Sequence, residues 1–168
     1  MLERKCENCV TCCIITEIKY KDFYKAPNEK CKYLNTNCCG CSVFGKIEKP
    51  TNCLNFDCAW LKGFGDINDR PDLSDVMVAI DNFNGGTWIF VMETKKGAYL
   101  TTGKNIIIDM VNKFNFPVIV VDYDSKFPND KGDYVIIKDE LKHRTKSLIG
   151  DFVCEYDNNI NVYKIIIE

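Results

Sequence analysis

CENCVTCC at residues 6–13 opens a segment that contains ten of the eleven cysteines of the chain. The other cysteines of this segment are Cys31, Cys38, Cys39, Cys41, Cys53 and Cys58. An isolated cysteine is often a small apolar residue that is buried for packing. Ten cysteines in clustered spacings within residues 6–58 instead indicate metal ligands or disulfide cross-links, and the rest of the chain is organised around them.

The N-terminus favours metal ligands over disulfides. MLERK at residues 1–5 leads into the first cysteine without the apolar core or cleavage site of a secretory signal. No apolar run is long enough to span a bilayer. We therefore expect a cytoplasmic protein, and stable disulfides are rare in that reducing compartment. The cysteines are predicted to bind metal, with a disulfide framework and a redox relay of thiols as the alternatives.

The cysteine spacing predicts how sulfurs share an ion. Two residues between Cys6 and Cys9 let both sulfurs reach one ion through a tight turn. Cys12 and Cys13 are adjacent, and neighbouring side chains tend to point apart, so the two either serve different ions or include one structural cysteine. Eight ligands would make two four-sulfur sites, and two of the ten cysteines would then be spare.

Four thiolates suit zinc and iron–sulfur clusters alike. The run Cys6-x2-Cys9-x2-Cys12 matches the first three positions of a bacterial ferredoxin, but Cys13 follows where three intervening residues are expected. Zinc is therefore preferred, with iron or an iron–sulfur cluster as the alternative. His143 is the chain's one histidine and lies in a polar run, so we expect it on the surface. Histidine-ligated catalytic zinc and a Cys–His nucleophile pair are accordingly disfavoured.

Charge and composition bear on partners and stability. The 22 basic and 24 acidic residues nearly cancel, which leaves no clear footprint for nucleic acid or a membrane. The cysteine-rich segment has few large aliphatic residues, so it needs bound metal for a stable fold, and chelation should unfold it. Nearby lysines would offset the thiolate charge: Lys5, Lys30, Lys32, Lys46 and Lys49.

The chain is predicted to have an α+β fold. A cysteine-rich, metal-stabilised region is expected at residues 1–62, a linker at 63–74 and a small α+β domain at 75–168. That domain should contain a mixed or antiparallel sheet with one main helix, and the first region should pack on it.

Hydrophobic periodicity places the elements. Strands are predicted at 76–80 and 87–93, joined as a hairpin, with a central strand at 118–121, a strand at 133–138 and a terminal hairpin of 151–156 with 160–167. Thr102 should cap a helix over 103–115. In the cysteine-rich region, residues 14–26 suggest a strand that turns into a helix, and Pro50 suits the first turn of a short helix carrying Cys53 and Cys58.

The cysteine pattern resembles that of the putative zinc- or iron-chelating cysteine-cluster family, the YkgJ-type proteins. The matching motifs are Cys9-x2-Cys12-Cys13, Cys31-x2-Leu34, Cys41-Ser-Val43-Phe44, Lys49-Pro50-x2-Cys53 and Phe56-Asp-Cys58-Ala-Trp60-Leu61. Val10 stands where glycine is usual, Phe44 replaces tyrosine, Lys49 replaces arginine, and Cys38 and Cys39 are additional. The resemblance covers residues 6–61 and implies metal chelation through cysteine, without a known reaction.

From the spacing and this resemblance, the metal ligands are predicted to be Cys6, Cys9, Cys12, Cys13, Cys31, Cys41, Cys53 and Cys58. The predicted function is chelation of one or two zinc or iron ions, and no catalytic residue is assigned. Two alternatives stay open: an iron–sulfur protein with a redox or enzymatic role, and a zinc-stabilised module that binds a protein or a nucleic acid.

Overall fold

Six strands form one mixed sheet in the order β3-β4-β5-β6-β8-β7. The computed structural model describes residues 4–6, 8–20, 23–35, 40–43, 46–83, 85–121, 123–124, 134–142, 145, 154–158 and 162–166. The strands are β3 (Val76–Phe83), β4 (Gly86–Glu93), β5 (Val118–Val121), β6 (Tyr134–Ile137), β7 (Glu155–Asp157) and β8 (Val162–Ile166). The prediction of an α+β fold with a mixed sheet is confirmed.

The longest helix, α4 (Lys104–Lys113), connects the one parallel pair among these strands. β4 and β5 are parallel and need a crossover, whereas the predicted hairpin of β3 and β4 is antiparallel. β5 lies between β4 and β6 and is buried along its whole length, which confirms it as a central strand. The terminal hairpin is also present, as β7 and β8.

Each face of the sheet has its own apolar core. On one face, α4 places Ile106, Ile107, Met110 and Val111 against alternate residues of the central strands. On the other face, Trp88 is completely buried among Phe90, Ile119, Val121, Val135, Ile137, Leu141 and Ile165. This double burial explains why β5 reads as a continuous apolar run.

The cysteine-rich region reaches the sheet at the outer edge of β3. The Ala59 backbone N–H donates to the Val78 carbonyl at 2.7 Å, so this chain segment covers an edge that would otherwise expose its polar groups. Ala59 packs into the core beneath α4. Its neighbours Cys58 and Trp60 pack on the opposite face with Met77.

The prediction for residues 14–26 is wrong in its order of elements. Cys12–Ile15 form one helical turn, α1, and β1 (Ile18–Tyr20) pairs with β2 (Phe23–Lys25) as an antiparallel hairpin. The ring of Phe23 lies edge-on to that of Tyr33, with 5.4 Å between centroids. Packing against a segment distant in sequence therefore overrides the local helical spacing of the aromatic residues.

Two helix predictions also need correction. The helix after Pro50 is one turn, α2 (Thr51–Leu54), which carries Cys53 and ends before Cys58, because Cys58 belongs to the segment bound to β3. Thr102 does not cap α4: Gly103 holds the N-cap position, and the Thr102 hydroxyl is hydrogen-bonded to the Asp75 carboxylate at 3.3 Å.

Residues 63–74, predicted as a linker, include a further helical turn, α3 (Pro71–Ser74). The division into regions 1–62 and 75–168 stays a prediction. Among the described residues, no helix has the length and apolar character needed to cross a bilayer.

Gly103 is expected to tolerate no side chain, because a Cβ at this position would overlap Cγ1 of Val76, which is completely buried. Gly103→Ala should lower the free energy of unfolding by about 1–3 kcal/mol through overpacking, as measured by urea denaturation. Asn105→Ala, at an exposed position of α4, is the control and should change stability by less than about 0.5 kcal/mol. Because the cost arises at Val76, adding Val76→Ala should cost less than the sum of the single variants. Additive costs would contradict the assignment.

Candidate metal centre

All eight predicted ligands lie within the described part of the chain. Cys31 and Cys58 are buried, each 8% exposed, and the other six are partly exposed: Cys6, Cys9, Cys12, Cys13, Cys41 and Cys53. None of the nine described cysteines, Cys154 included, forms a disulfide. Cys38, Cys39 and His143 lie outside the described residues.

The first three cysteines are brought towards Cys58. The Cys9 N–H donates to the Cys6 carbonyl at 2.7 Å and closes the turn between them. In the apolar cluster at the β3 edge, Cys12 packs with Cys58, Trp60 and other residues. This cluster joins the N-terminal cysteines to a cysteine that is distant in sequence.

Arg4 fixes the start of this arrangement. Its Nη1 donates to the carbonyls of Trp60 at 2.9 Å and Phe64 at 2.8 Å, and its Nη2 donates to Gly65 at 2.7 Å. The guanidinium also lies 4.9 Å from the centroid of the Trp60 ring, a cation–π contact. Arg4 thereby holds the chain just before Cys6 beside the segment that follows Cys58.

A second set of backbone contacts connects Cys13, Cys31 and Cys41. The Cys31 N–H donates to the Cys13 carbonyl at 2.9 Å. Leu34 donates to the Cys31 carbonyl at 3.0 Å and forms an isolated antiparallel bridge with Cys41. These contacts bring Cys31 to the end of α1 and place Cys41 beside Leu34, three residues after Cys31. Helix α2, which carries Cys53, contacts strand β1 of the same region.

Two of the sulfurs take part in local hydrogen bonds. The Tyr33 N–H, two residues after Cys31, donates to Cys31 Sγ at 3.5 Å. The Cys9 thiol donates to Thr11 Oγ1 at 3.6 Å. Burial raises the pKa of Cys9 and of Cys58, and nearby backbone groups, those of Thr11 and Asp72 for Cys9 and of Leu61 and Trp60 for Cys58, oppose this increase.

Burial is the main reason that the pKa values of Cys6, Cys9 and Cys58 are raised. The pKa of Cys6 is raised to about 11 by burial together with the charges of Cys12, Cys58 and Cys9, while Lys49 opposes them. Burial also raises the pKa of Cys58, to which Cys9 and Cys12 add. These four sulfurs are close enough to feel one another's charge.

The adjacent cysteines Cys12 and Cys13 interact with each other and with different groups of the remaining cysteines. The neighbouring Cys13 is the main cause that raises the pKa of Cys12 far above its usual value, with burial second, and Cys12 in turn lowers the pKa of Cys13. The charges of Cys41, Cys31 and Cys53 act on Cys13 in the opposite direction. Burial raises the pKa of Cys53, followed by the charges of Cys12 and Cys31. Cys12 therefore interacts with Cys53 as well as with Cys6 and Cys58.

Lys25, which sequence reasoning missed, is a buried cation beside these thiols. Its side chain is 2% exposed, and its Nζ donates to the carbonyls of Ile14 at 2.7 Å and Ala26 at 3.0 Å. Burial lowers its pKa, which the charges of Cys31 and Glu29 raise in turn. Nothing in the sequence separates Lys25 from exposed lysines, because its burial results from the pairing of β2 with β1.

The sulfurs are neighbours but do not yet form a coordination sphere. Among the His, Cys, Asp and Glu side chains that the structure describes, no three converge in a way that would hold a metal ion.

Comparison with models of known protein families, with curated proteins and with solved structures found no match. The resemblance to the YkgJ-type family therefore stays a prediction from the cysteine motifs.

Arg4→Ala should loosen the N-terminal segment. The substitution removes three charge-assisted hydrogen bonds, each worth about 1.5–3 kcal/mol before solvent exposure reduces its contribution. We expect faster hydrogen exchange at residues 60–65 and a lower melting temperature. Lys5→Ala removes a neighbouring exposed cation and should change neither. Unchanged exchange in Arg4→Ala would show that Arg4 does not brace this segment.

Proposed function

We propose that this chain chelates zinc through cysteine thiolates, with Cys6, Cys9, Cys12, Cys13, Cys31, Cys41, Cys53 and Cys58 as ligands. The observation that carries the proposal is that cysteines distant in sequence are brought together: Cys31 is bonded through its backbone to Cys13, and Cys12 and Cys58 pack in one apolar cluster. Thiolates are soft donors that suit zinc, and the chain contributes no histidine-rich alternative.

The N–H···S bond from Tyr33 to Cys31 also supports a ligand role for this buried cysteine. A neutral thiol is a weak acceptor, whereas a metal-bound thiolate carries charge and is stabilised by hydrogen bonds from surrounding groups. The turn that places the Tyr33 N–H two residues after Cys31 provides this stabilisation before any metal arrives. A buried cysteine that serves only packing needs no such donor.

Metal binding would require the sulfurs to turn towards a common centre. The backbone brings Cys31 to Cys13, and it attaches Ala59, which follows Cys58, to Val78 of β3. From these positions, rotation of the thiol side chains would direct the sulfurs at metal. Each thiol that binds loses its proton, so chelation removes the protonated state that burial favours.

Lys25 and Lys49 would balance part of the resulting charge. Four thiolates around one divalent ion leave a net charge of about −2 by formal count. Lys25 is buried beside Cys31 and Cys13, and the charge of Lys49 lowers the pKa values of Cys6, Cys12 and Cys53. In a site closed by four thiolates, zinc supplies a structural cross-link and keeps no open position for substrate, so we assign no catalytic residue.

Metal content is the direct test. Protein purified without oxygen should contain one or two zinc ions per chain by elemental analysis and should be colourless. Chelation should unfold the cysteine-rich region, observed as a loss of circular dichroism and of thermal stability. Cys154→Ser, outside the ligand set, is the matched control and should keep the wild-type metal content.

Two other results have definite meanings. Iron with acid-labile sulfide and a brown colour would favour the iron–sulfur alternative, which the run Cys6-x2-Cys9-x2-Cys12 motivates. Neither metal, with free thiols or disulfides in its place, would contradict the proposal.

Lys25→Met should weaken zinc binding by about tenfold or more, in the range found for partners that support metal ligands. The methionine keeps much of the apolar stem but removes the ammonium that offsets the thiolates. A competition titration with a chromophoric chelator measures the change. Lys30→Met is the control, because Lys30 is exposed, and it should change zinc affinity little. Equal affinities in the two variants would exclude a role for the buried cation.

A further inference from the structure

Building on the proposed zinc ligation, we propose that the eight cysteines form two separate four-thiolate sites. The edge site consists of Cys6, Cys9, Cys12 and Cys58, and lies where the N-terminal segment meets strand β3. The loop site consists of Cys13, Cys31, Cys41 and Cys53, and all four of its ligands lie within the cysteine-rich region, away from the edge of β3.

Backbone and packing contacts bring the members of the edge site together. The hydrogen bond from Cys9 to the Cys6 carbonyl forms the first turn. Arg4, two residues before Cys6, donates to the carbonyls of Trp60 and Phe64, which follow Cys58 in the chain. Cys12 and Cys58 pack in the same apolar cluster. The fourth ligand that a ferredoxin run would supply locally thus comes from the segment bound to β3.

The loop site is assembled by a different set of contacts. Cys31 is hydrogen-bonded through its N–H to the Cys13 carbonyl, and Cys41 is brought beside Leu34, three residues after Cys31, by a β-bridge. Helix α2 positions Cys53 next to β1.

Helix α1 accounts for the division of Cys12 from Cys13. Both belong to its single turn, and successive residues of an α-helix are rotated by about 100° about its axis. Cys12 is thereby directed to the apolar cluster at the β3 edge, whereas Cys13 lies at the end that bonds to Cys31. The two sites are neighbours, joined by one peptide bond, which explains why the charge of Cys12 also reaches Cys53.

The two sites would contribute differently to the fold. The edge site cross-links the N-terminal segment to Cys58, whose neighbour Ala59 is bound to β3, so its loss should release residues before Cys12 from the sheet. The loop site cross-links residues 13–53 only, and its loss should leave the attachment at β3 intact.

Pairs of cysteine substitutions distinguish this grouping from any other. Cys9→Ser with Cys58→Ser removes two ligands from one site and should leave one zinc ion per chain by native mass spectrometry. Cys13→Ser with Cys31→Ser should also leave one. Cys9→Ser with Cys31→Ser damages both sites and should leave none. Cys154→Ser is the control and should keep two.

Because a double variant can lose metal by failing to fold, the wild-type chain provides a second measurement. A limiting amount of chelator would produce the one-zinc form, which is alkylated with N-ethylmaleimide and mapped by peptide mass spectrometry. Newly labelled members of the eight should belong to one site only. Mixed labelling from both sites, one zinc ion in the wild type, or one ion retained in the cross-site variant would overturn the grouping. Absence of metal from the wild type would overturn the proposed function itself.

Discussion

The hydrogen bond from Ala59 to Val78 is the constraint on which the cysteine-rich region depends. It attaches the chain to the outer edge of β3 and sends successive side chains to opposite faces of the sheet. Ala59 enters the core beneath α4, while Cys58 and Trp60 pack against Met77 on the other face. A loop-rich segment with little apolar material of its own is thus stabilised by packing against the sheet.

This attachment turns a distant cysteine into a neighbour of the N-terminal ones. Trp60 packs beside Cys58, and its carbonyl accepts a hydrogen bond from Arg4, whose guanidinium stacks on the indole ring. One aromatic residue therefore covers the sulfurs and orders the chain that leads to Cys6. The contacts that pack this region on the sheet are therefore the same contacts that bring the proposed metal ligands together.

Electrostatics makes the metal-free arrangement unfavourable for thiolates. Burial raises the pKa values of Cys6, Cys53 and Cys58, and the neighbouring thiolate charges raise them further. Backbone groups near Cys9 and Cys58, and the charge of Lys49 near Cys6 and Cys53, act in the opposite direction. Divalent ions at the centre of the sulfurs would reverse this balance, since each ion neutralises half the charge of four ligands.

The sequence determined the fold class, the β3–β4 hairpin, the central strand β5 and the position of α4. These features follow from hydrophobic periodicity and from Gly and Pro residues, which act over a few neighbouring positions. Periodicity was misleading at residues 14–26, where Phe23 packs on Tyr33 instead of on its own helical neighbours. It also placed Cys58 on a helix, because the edge of β3 that binds this segment is invisible to local spacing.

For the candidate site, the sequence determined the residue types and the reasons to expect metal. The neighbours of each cysteine, the burial of Lys25 and the contacts of Arg4 with the segment after Cys58 are evident only from the folded structure. The physical reason is that ligand spacing restricts sulfurs only within one turn. Contacts between Cys13 and Cys31, or Cys12 and Cys58, depend on how the hairpin and the sheet edge pack, and that is fixed by burial summed over the whole chain.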